Sequence, residues 1–333
     1  MSKPIKIAIT MGDPGGIGPE IALKAVYHSK WPDFMRFVLI GDKNIWLKYA
    51  RHSRLPRPYE GKNIEETDYN KVIMWDPIPC ATAKWRPGKT GKSEGSCSIL
   101  WVRAAVAGCR EGKFHAMVTG PICKHSMQAA GYKFPGHTEY LAHLAGSKQV
   151  AMMLIGGPLR VVLATRHIAL KQVANFITRQ VVMDTVAMAA NGVKWLNLPR
   201  KNIGVCALNP HAGEDGLLGN EEIRIIAPAV RYLRRKGIKA EGPIPADVIF
   251  YQAMQNKFGA IAAMYHDQGL APLKMIAFET GINLTLGLPF VRTSPDHGTA
   301  FDIAGKGMAS CSSMVAAIKL AIQLANRPNP WKK

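Results

Sequence analysis

Short apolar runs rich in β-branched residues alternate with longer segments of helical period, and this alternation restricts the fold more than any other feature of the chain. Runs at 5–10, 36–40, 116–119, 151–155, 160–164, 203–208, 260–264 and 282–286 read as strands, and segments at 19–28, 95–110, 138–144, 170–195, 219–236, 246–255 and 309–326 read as helices. A helical crossover is what returns a chain to start a parallel neighbour, so the pattern predicts an α/β protein with largely parallel sheets. At 333 residues the chain exceeds what one core usually organises, and two lobes are expected. Residues 55–95, where Pro, Gly and charges cluster without period, read as loop.

Composition excludes several classes. Hydrophobic residues at 47% and charged residues at 20% belong to a protein with a packed core. The six cysteines, Cys80, Cys97, Cys109, Cys123, Cys206 and Cys311, form no CxxC pair and read as reduced, mostly buried thiols, which suits a cytoplasmic location. No secretory leader and no run of eighteen apolar residues is present, so neither export nor a membrane partner is expected. The net charge of +20 is dispersed, densest at Arg234-Arg235-Lys236, and no basic stripe interleaved with aromatics points to nucleic acid.

Several segments can carry chemistry. Residues 11–20, Met-Gly-Asp-Pro-Gly-Gly-Ile-Gly-Pro-Glu, form a glycine-rich turn between a strand and a helix, either an anion site of exposed amides or simply a tight turn. Residues 87–93, Pro-Gly-Lys-Thr-Gly-Lys-Ser, end like a P-loop, but Arg86 stands where its first glycine must be. His167, His211 and His266 follow strands, where α/β sites assemble, and three neutral imidazoles would leave a divalent cation open to substrate. His137 and Thr138 stand at a helix start, where Thr138 is either the N-cap or an anion ligand. Lys274, Asn283 and Arg292 suit oxyanion recognition, and Arg292 opens a dense polar run through residue 307.

Taken together, residues 11–20, 136–142, 209–216, 242–247, 266–274 and 288–307 resemble the 4-hydroxythreonine-4-phosphate dehydrogenase family of vitamin B6 synthesis, over nearly the whole chain. The last motif, Asp302-Ile-Ala-Gly305-Lys-Gly307, is also similar to the adenosine loop of isopropylmalate and isocitrate dehydrogenases. The resemblance implies their two-lobed fold with the active site in the interlobe cleft: a discontinuous cofactor lobe of 1–135 and 280–333, and a metal and dimer-interface lobe of 136–279. It implies one divalent metal (zinc, magnesium, cobalt or manganese) on His167, His211 and His266, the third supplied across a homodimer interface. It implies substrate contacts from His137, Thr138, Lys274, Asn283 and Arg292, and NAD or NADP on Asp296, Gly298, Asp302 and Gly305.

The implied reaction is oxidation of 4-phosphohydroxy-L-threonine to a β-keto acid that decarboxylates to 3-amino-2-oxopropyl phosphate, with Asp247, Asp267 and Lys274 as candidates for proton transfer. The chain departs from the family pattern at Gly15, where Ala is usual, at Val248, where Thr is usual, and at Pro295. Those departures leave open a paralogue acting on 4-phosphothreonate, 4-phosphoerythronate or an aromatic cis-dihydrodiol. A phosphate acyltransferase of related fold is a remoter alternative, needing an anion pocket but no histidine-bound metal.

Overall fold

The computed structural model describes residues 4–68, 70–77, 85–134 and 136–332, so Cys80 and Pro135 lie outside the described residues. The chain forms two compact units, Met1–Gln149 with Leu288–Lys333, and Val150–Gly287. These boundaries fall later than the expected 135/136 and 279/280. The helix that begins at His137 therefore belongs to the first unit, and Asn283 to the second.

The first unit opens with β1 (Ile5–Thr10), α1 (Gly18–His28), β2 (Met35–Ile40), α2 (Lys43–His52), β3 (Tyr59–Glu60) and β4 (Val72–Trp75). It continues through α3 (Lys92–Arg110), β5 (Ala116–Thr119), α4 (Lys124–Ala129) and α5 (His137–Ala145). The second unit holds β6 (Ala151–Gly156), β7 (Leu159–Leu163), α6 (Val173–Phe176), α7 (Arg179–Trp195), β8 (Ile203–Cys206) and α8 (Ala227–Arg235). It closes with β9 (Ala240–Ile244), α9 (Ala246–Met254), β10 (Ala260–Ala263), α10 (His266–Ala277) and β11 (Ile282–Leu286). The chain then returns to the first unit as β12 (Val291–Pro295) and α11 (Ser312–Ala325).

Within the first unit the strand order is β3-β4-β2-β1-β5-β12, every pair parallel. Its inner strands are buried on both faces, as a parallel sheet covered by helices requires. Within the second unit the order is β11-β6-β7-β10-β8-β9, with β6 antiparallel to both neighbours and β7, β10, β8 and β9 mutually parallel. The C-terminal ends of β7, β10 and β8 consequently open at one edge, where loop residues can converge. Among the described residues no helix is long and apolar enough to cross a membrane. Cys97, Cys109 and Cys206 are buried, Cys123 and Cys311 partly so, and these five form no disulfide.

The departures from the sequence reading have local causes. The helix read over 170–195 breaks at Thr178, whose Oγ1 accepts the Val181 amide at 3.2 Å and starts α7 afresh. The helix read over 219–236 contains a π-turn at Glu222–Ile226 before α8, next to Pro228, which has no amide to give. Residues 55–95 contain β3 and β4. The sequence reading also lacks α2, α4, β9, α10 and β12, and the last two show why. Pro272 and Gly269 mask α10, although Gly269, Leu273 and Ala277 make one buried stripe at a spacing of four. The polar sequence Val-Arg-Thr-Ser-Pro masks β12, all five residues of which are buried.

Gly269 lets α10 lie directly on its sheet. A methyl group there would stand 2.6 Å from Val161 Cγ1 and 3.0 Å from Leu163 Cδ2, both inside the core of Leu154, Ile249, Phe258 and Leu273. Gly269→Ala should therefore destabilise the protein by about 1–2 kcal/mol, overpacking outweighing the helical preference of alanine. Urea unfolding measures it, and an unchanged midpoint would show that α10 can move outward without loss.

Candidate active site

In the first unit a positive charge is buried at the end of the sheet. Arg292, on β12 and only 3% exposed, donates from Nε (3.1 Å) and Nη2 (2.6 Å) to Thr119 Oγ1 at the end of β5. Its Nη2 also lies 3.3 Å from His137 Nδ1. A guanidinium can only donate, so Nδ1 accepts and the imidazole proton sits on Nε2. That Nε2 is enclosed with no partner, although the residue as a whole keeps some surface. Burial, then the charge of Arg292, hold His137 well below the usual imidazole range, and burial lowers Arg292 to about 9. A neutral imidazole with an enclosed N–H beside a desolvated cation has the chemistry to receive an anion.

The start of α5 adds to this corner. Gly136, not Thr138, is the N-cap, with no side-chain cap, and Thr138 lies buried in the first turn. The first-turn amides of a helix have no intrahelical acceptor and favour negative charge.

In the second unit the three histidines follow three adjacent parallel strands, His167 after β7, His266 after β10 and His211 after β8. His167 and His266 are ring neighbours, 5.5 Å between centroids. His266 Nδ1 lies 2.6 Å from Asp267 Oδ1, which fixes the proton on Nδ1 and leaves the Nε2 lone pair available to a ligand. Gln268 ties this end of the sheet together, accepting the Met264 amide and donating to the Ala207 carbonyl, both at 2.7 Å. His211 does not join the pair as a third ligand. Among the described residues of one chain no three His, Cys, Asp or Glu are gathered for a metal, and the His211 side chain is 71% exposed. The donors are chemically right for a borderline divalent cation, and one chain collects two of them. The resemblance makes His266 the ligand from a neighbouring subunit, whereas here it stands beside His167 of its own chain.

His211 rides on an unusual turn. His211, Ala212, Gly213, Glu214 and Asp215 all have φ between 42° and 84°, a left-handed path that costs about 1–2 kcal/mol for each residue with a side chain. Glu222, 2% exposed, anchors its root. One carboxylate oxygen accepts the Leu208 and Asn209 amides at 2.7 and 2.8 Å, and the other accepts Asn209 Nδ2 at 2.9 Å.

Other expected residues are placed as follows. Lys274 is half-buried in the last turns of α10, its Nζ 5.5 Å from the Phe278 ring centroid. Asn283 on β11 is buried, and its Oδ1 has no partner, so a donor must come from elsewhere. Asp247, in the first turn of α9, and Asp267 are exposed.

The glycine-rich turn proves to be a packing device. Its amides are used internally, Asp13 N by Pro121 O, Gly15 N by Asp13 Oδ1, Gly16 N by Asp13 O and Ile17 N by Thr299 O. A methyl on Gly15 would stand 1.8 Å from Lys89 O, and one on Gly16 would stand 2.8 Å from Thr299 O. The false P-loop packs here too, with Thr90 Oγ1 donating at 2.5 Å to Asp13 Oδ2, which also accepts from Ser126 Oγ at 2.9 Å. Burial pushes the Asp13 carboxyl up from its ordinary range.

The same turn braces the expected cofactor loop. Lys24 Nζ donates to Gly307 O (2.8 Å) and Ala309 O (2.9 Å), while Glu20 Oε1 accepts from Lys24 and the Ala309 amide. Gly305, at φ 77°, lies against Pro87, whereas Gly298 and Asp302 face outward and Gly298 has open space around it. Asp296 is held at the loop's root by its amide on Ser313 Oγ (3.3 Å). An anchored base with open outer residues suits a loop that receives a ligand.

Residues 33–321 match the family model of the pyridoxal phosphate biosynthetic protein PdxA. The chain belongs to the PdxA family. A 4-hydroxythreonine-4-phosphate dehydrogenase of Geobacter metallireducens is 42% identical over 323 residues, 96% of this chain and 95% of that one. A D-threonate 4-phosphate dehydrogenase of Cupriavidus necator is 40% identical over 327 residues, 96% of this chain and 97% of the other. The crystal structure of a 4-hydroxythreonine-4-phosphate dehydrogenase from Klebsiella pneumoniae superposes with a TM-score of 0.84 at 38% identity, covering 98% of this chain and all of that one. In this PdxA chain sequence reasoning missed Thr119, Asp13 and Glu222, because a lone Thr, Asp or Glu carries no periodic signal of its burial.

The neutral state of His137 has a measurable sign. Its folded pKa lies below its unfolded value, so the unfolded chain takes up the proton first and stability is lost as pH falls below about 6.5. Between pH 7.5 and 5.5 the wild type should lose on the order of 1 kcal/mol more than His137→Gln, read by urea unfolding. Equal losses would mean that His137 titrates freely in the folded state.

Proposed function

We propose that this chain is a dehydrogenase of a small phosphorylated hydroxy acid, with 4-phosphohydroxy-L-threonine as substrate and 3-amino-2-oxopropyl phosphate as product after decarboxylation of the β-keto acid. The observation that carries the reading is the buried Arg292–His137 pair with its enclosed Nε2–H, an arrangement suited to an oxyanion. The names of the relatives agree in a phosphorylated substrate and differ in its acid, 4-hydroxythreonine 4-phosphate in one and D-threonate 4-phosphate in the other. D-threonate 4-phosphate is the second reading.

Arg292, His137 and Thr138 hold an anionic group of the substrate, and Lys274 and Asn283 contact its remaining polar groups. His167, His211 and His266 would hold a divalent cation, imidazole favouring zinc or cobalt over magnesium. Such a cation would supply Lewis acidity at the hydroxyl, and Asp296, Gly298, Asp302 and Gly305 would hold NAD or NADP, which would supply the hydride acceptor. Asp267 orients His266 through Nδ1 and is thereby a positioning residue, while Lys274 carries the proton that leaves the hydroxyl. The active form is a homodimer in which His167 and His266 of one chain are joined by His211 of the other. The ring contact of 5.5 Å and the exposure of His211 support that division.

NAD reduction should be seen with one of 4-phosphohydroxythreonine, 4-phosphothreonate or 4-phosphoerythronate, and not with an aromatic dihydrodiol. Arg292→Ala should lower kcat/KM for that compound by roughly ten- to a hundredfold or more, the scale of about 1.5–3 kcal/mol for a hydrogen bond to charge. A dihydrodiol as best substrate, or an indifferent Arg292→Ala, would remove the phosphate reading.

Mixing inactive chains tests the shared site. His211→Ala with His266→Ala should regain activity and bound metal in heterodimers, whereas His167→Ala with His266→Ala should regain neither. Recovery in the second mixture instead would place His266 across the interface from His167.

A further inference from the structure

Four arginines of the second unit surround a hollow that the dehydrogenase reading does not use. Arg231, Arg234 and Arg235, spaced to share one face of α8, and Arg179, the first residue of α7, line a space of about 410 Å³ together with Pro228. All four are exposed, and among the described residues none pairs with a carboxylate. α8 contains no acidic residue, and Asp184, the sole acid of α7, already accepts from Gln180 Nε2 at 2.8 Å. Four like charges are thus gathered without a counter-charge, in a chain whose net charge is already +20.

The shape of the hollow narrows the ligand. Its volume lies in the range of small-molecule sites, too small for a duplex and ample for a short phosphate chain. Each guanidinium presents a planar fork that matches phosphate oxygens two at a time. The start of α7 adds first-turn amides and the positive end of a 17-residue helix; Thr178 Oγ1 occupies only the Val181 amide. A monoanion would engage one fork and leave the other arginines uncompensated, whereas a di- or triphosphate places several oxyanions within reach of all four. No aromatic ring lines the space to stack a base, so the phosphate chain is the element recognised. We propose that Arg179, Arg231, Arg234 and Arg235 form a binding site for a di- or triphosphate group, separate from Arg292 and independent of the dehydrogenase reaction.

Calorimetric titration of the full chain in about 0.15 M salt tests this, with inorganic tripolyphosphate, ATP and inorganic phosphate as probes. Tripolyphosphate should bind and phosphate should bind at least tenfold more weakly. R231A/R235A should weaken tripolyphosphate at least about tenfold while R292A leaves it unchanged, the loss of two charge-assisted contacts setting that scale. Equal affinity for ATP and tripolyphosphate supports recognition of the chain alone, and tighter ATP supports a nucleotide as its source. No tripolyphosphate binding at about 1 mM, binding abolished by R292A, or binding indifferent to R231A/R235A overturns the proposal. Binding of an oligonucleotide but not of tripolyphosphate overturns it in favour of a nucleic-acid surface. The double variant is on the surface, and circular dichroism confirms that it folds.

Discussion

A guanidinium withdrawn from water must be given partners, and the first unit is arranged around doing so for Arg292. β12 brings the side chain beside β5, so that Thr119 at the strand end can accept two of its N–H groups. α5 then delivers His137 as a third contact, in the one tautomer that a donor-only neighbour permits. These contacts use acceptors that carry no charge, so the cation is hydrogen-bonded without being neutralised by them. Burial, and after it the charge of Arg292, account for the depressed pKa of His137.

The second unit meets a different constraint. Parallel strands β7, β10 and β8 end at one edge, and each is followed by a histidine held in a different way. His266 opens a helix pressed onto the sheet at Gly269 and is oriented by Asp267. His211 is carried outward on a left-handed turn whose strain only a rooted loop can sustain, and buried Glu222 provides the root.

Much of this was legible in the sequence. The strands at Ile5–Thr10, Ala116–Thr119 and Ile282–Leu286 follow from apolar β-branched runs alone, because a twice-covered strand needs nothing else. Among the elements the sequence concealed, β12 and α10 hold expected site residues, Arg292 on one and His266 and Lys274 on the other. β12 is a buried strand written in polar residues, since its side chains hydrogen-bond Thr119 and Ala317 instead of packing as hydrocarbon. α10 contains a proline and a glycine that helix propensity disfavours, Pro272 standing inside the helix and Gly269 allowing its close approach to the sheet. His167, His211 and His266 could be named from strand ends, but which two meet within a chain depends on the strand order β7-β10-β8, which no local pattern encodes. Local rules fail where the site overrides them.

The contact at Gly15 ties two distant stretches of the chain together. A methyl at that position would stand only 1.8 Å from Lys89 O, so any side chain there requires the segment around residue 89 to sit farther from the turn. That shift would also draw Thr90 away from Asp13, the carboxylate that accepts the Gly15 amide. The absence of one methyl group thus sets how closely a loop more than seventy residues away can seal the first turn of the fold.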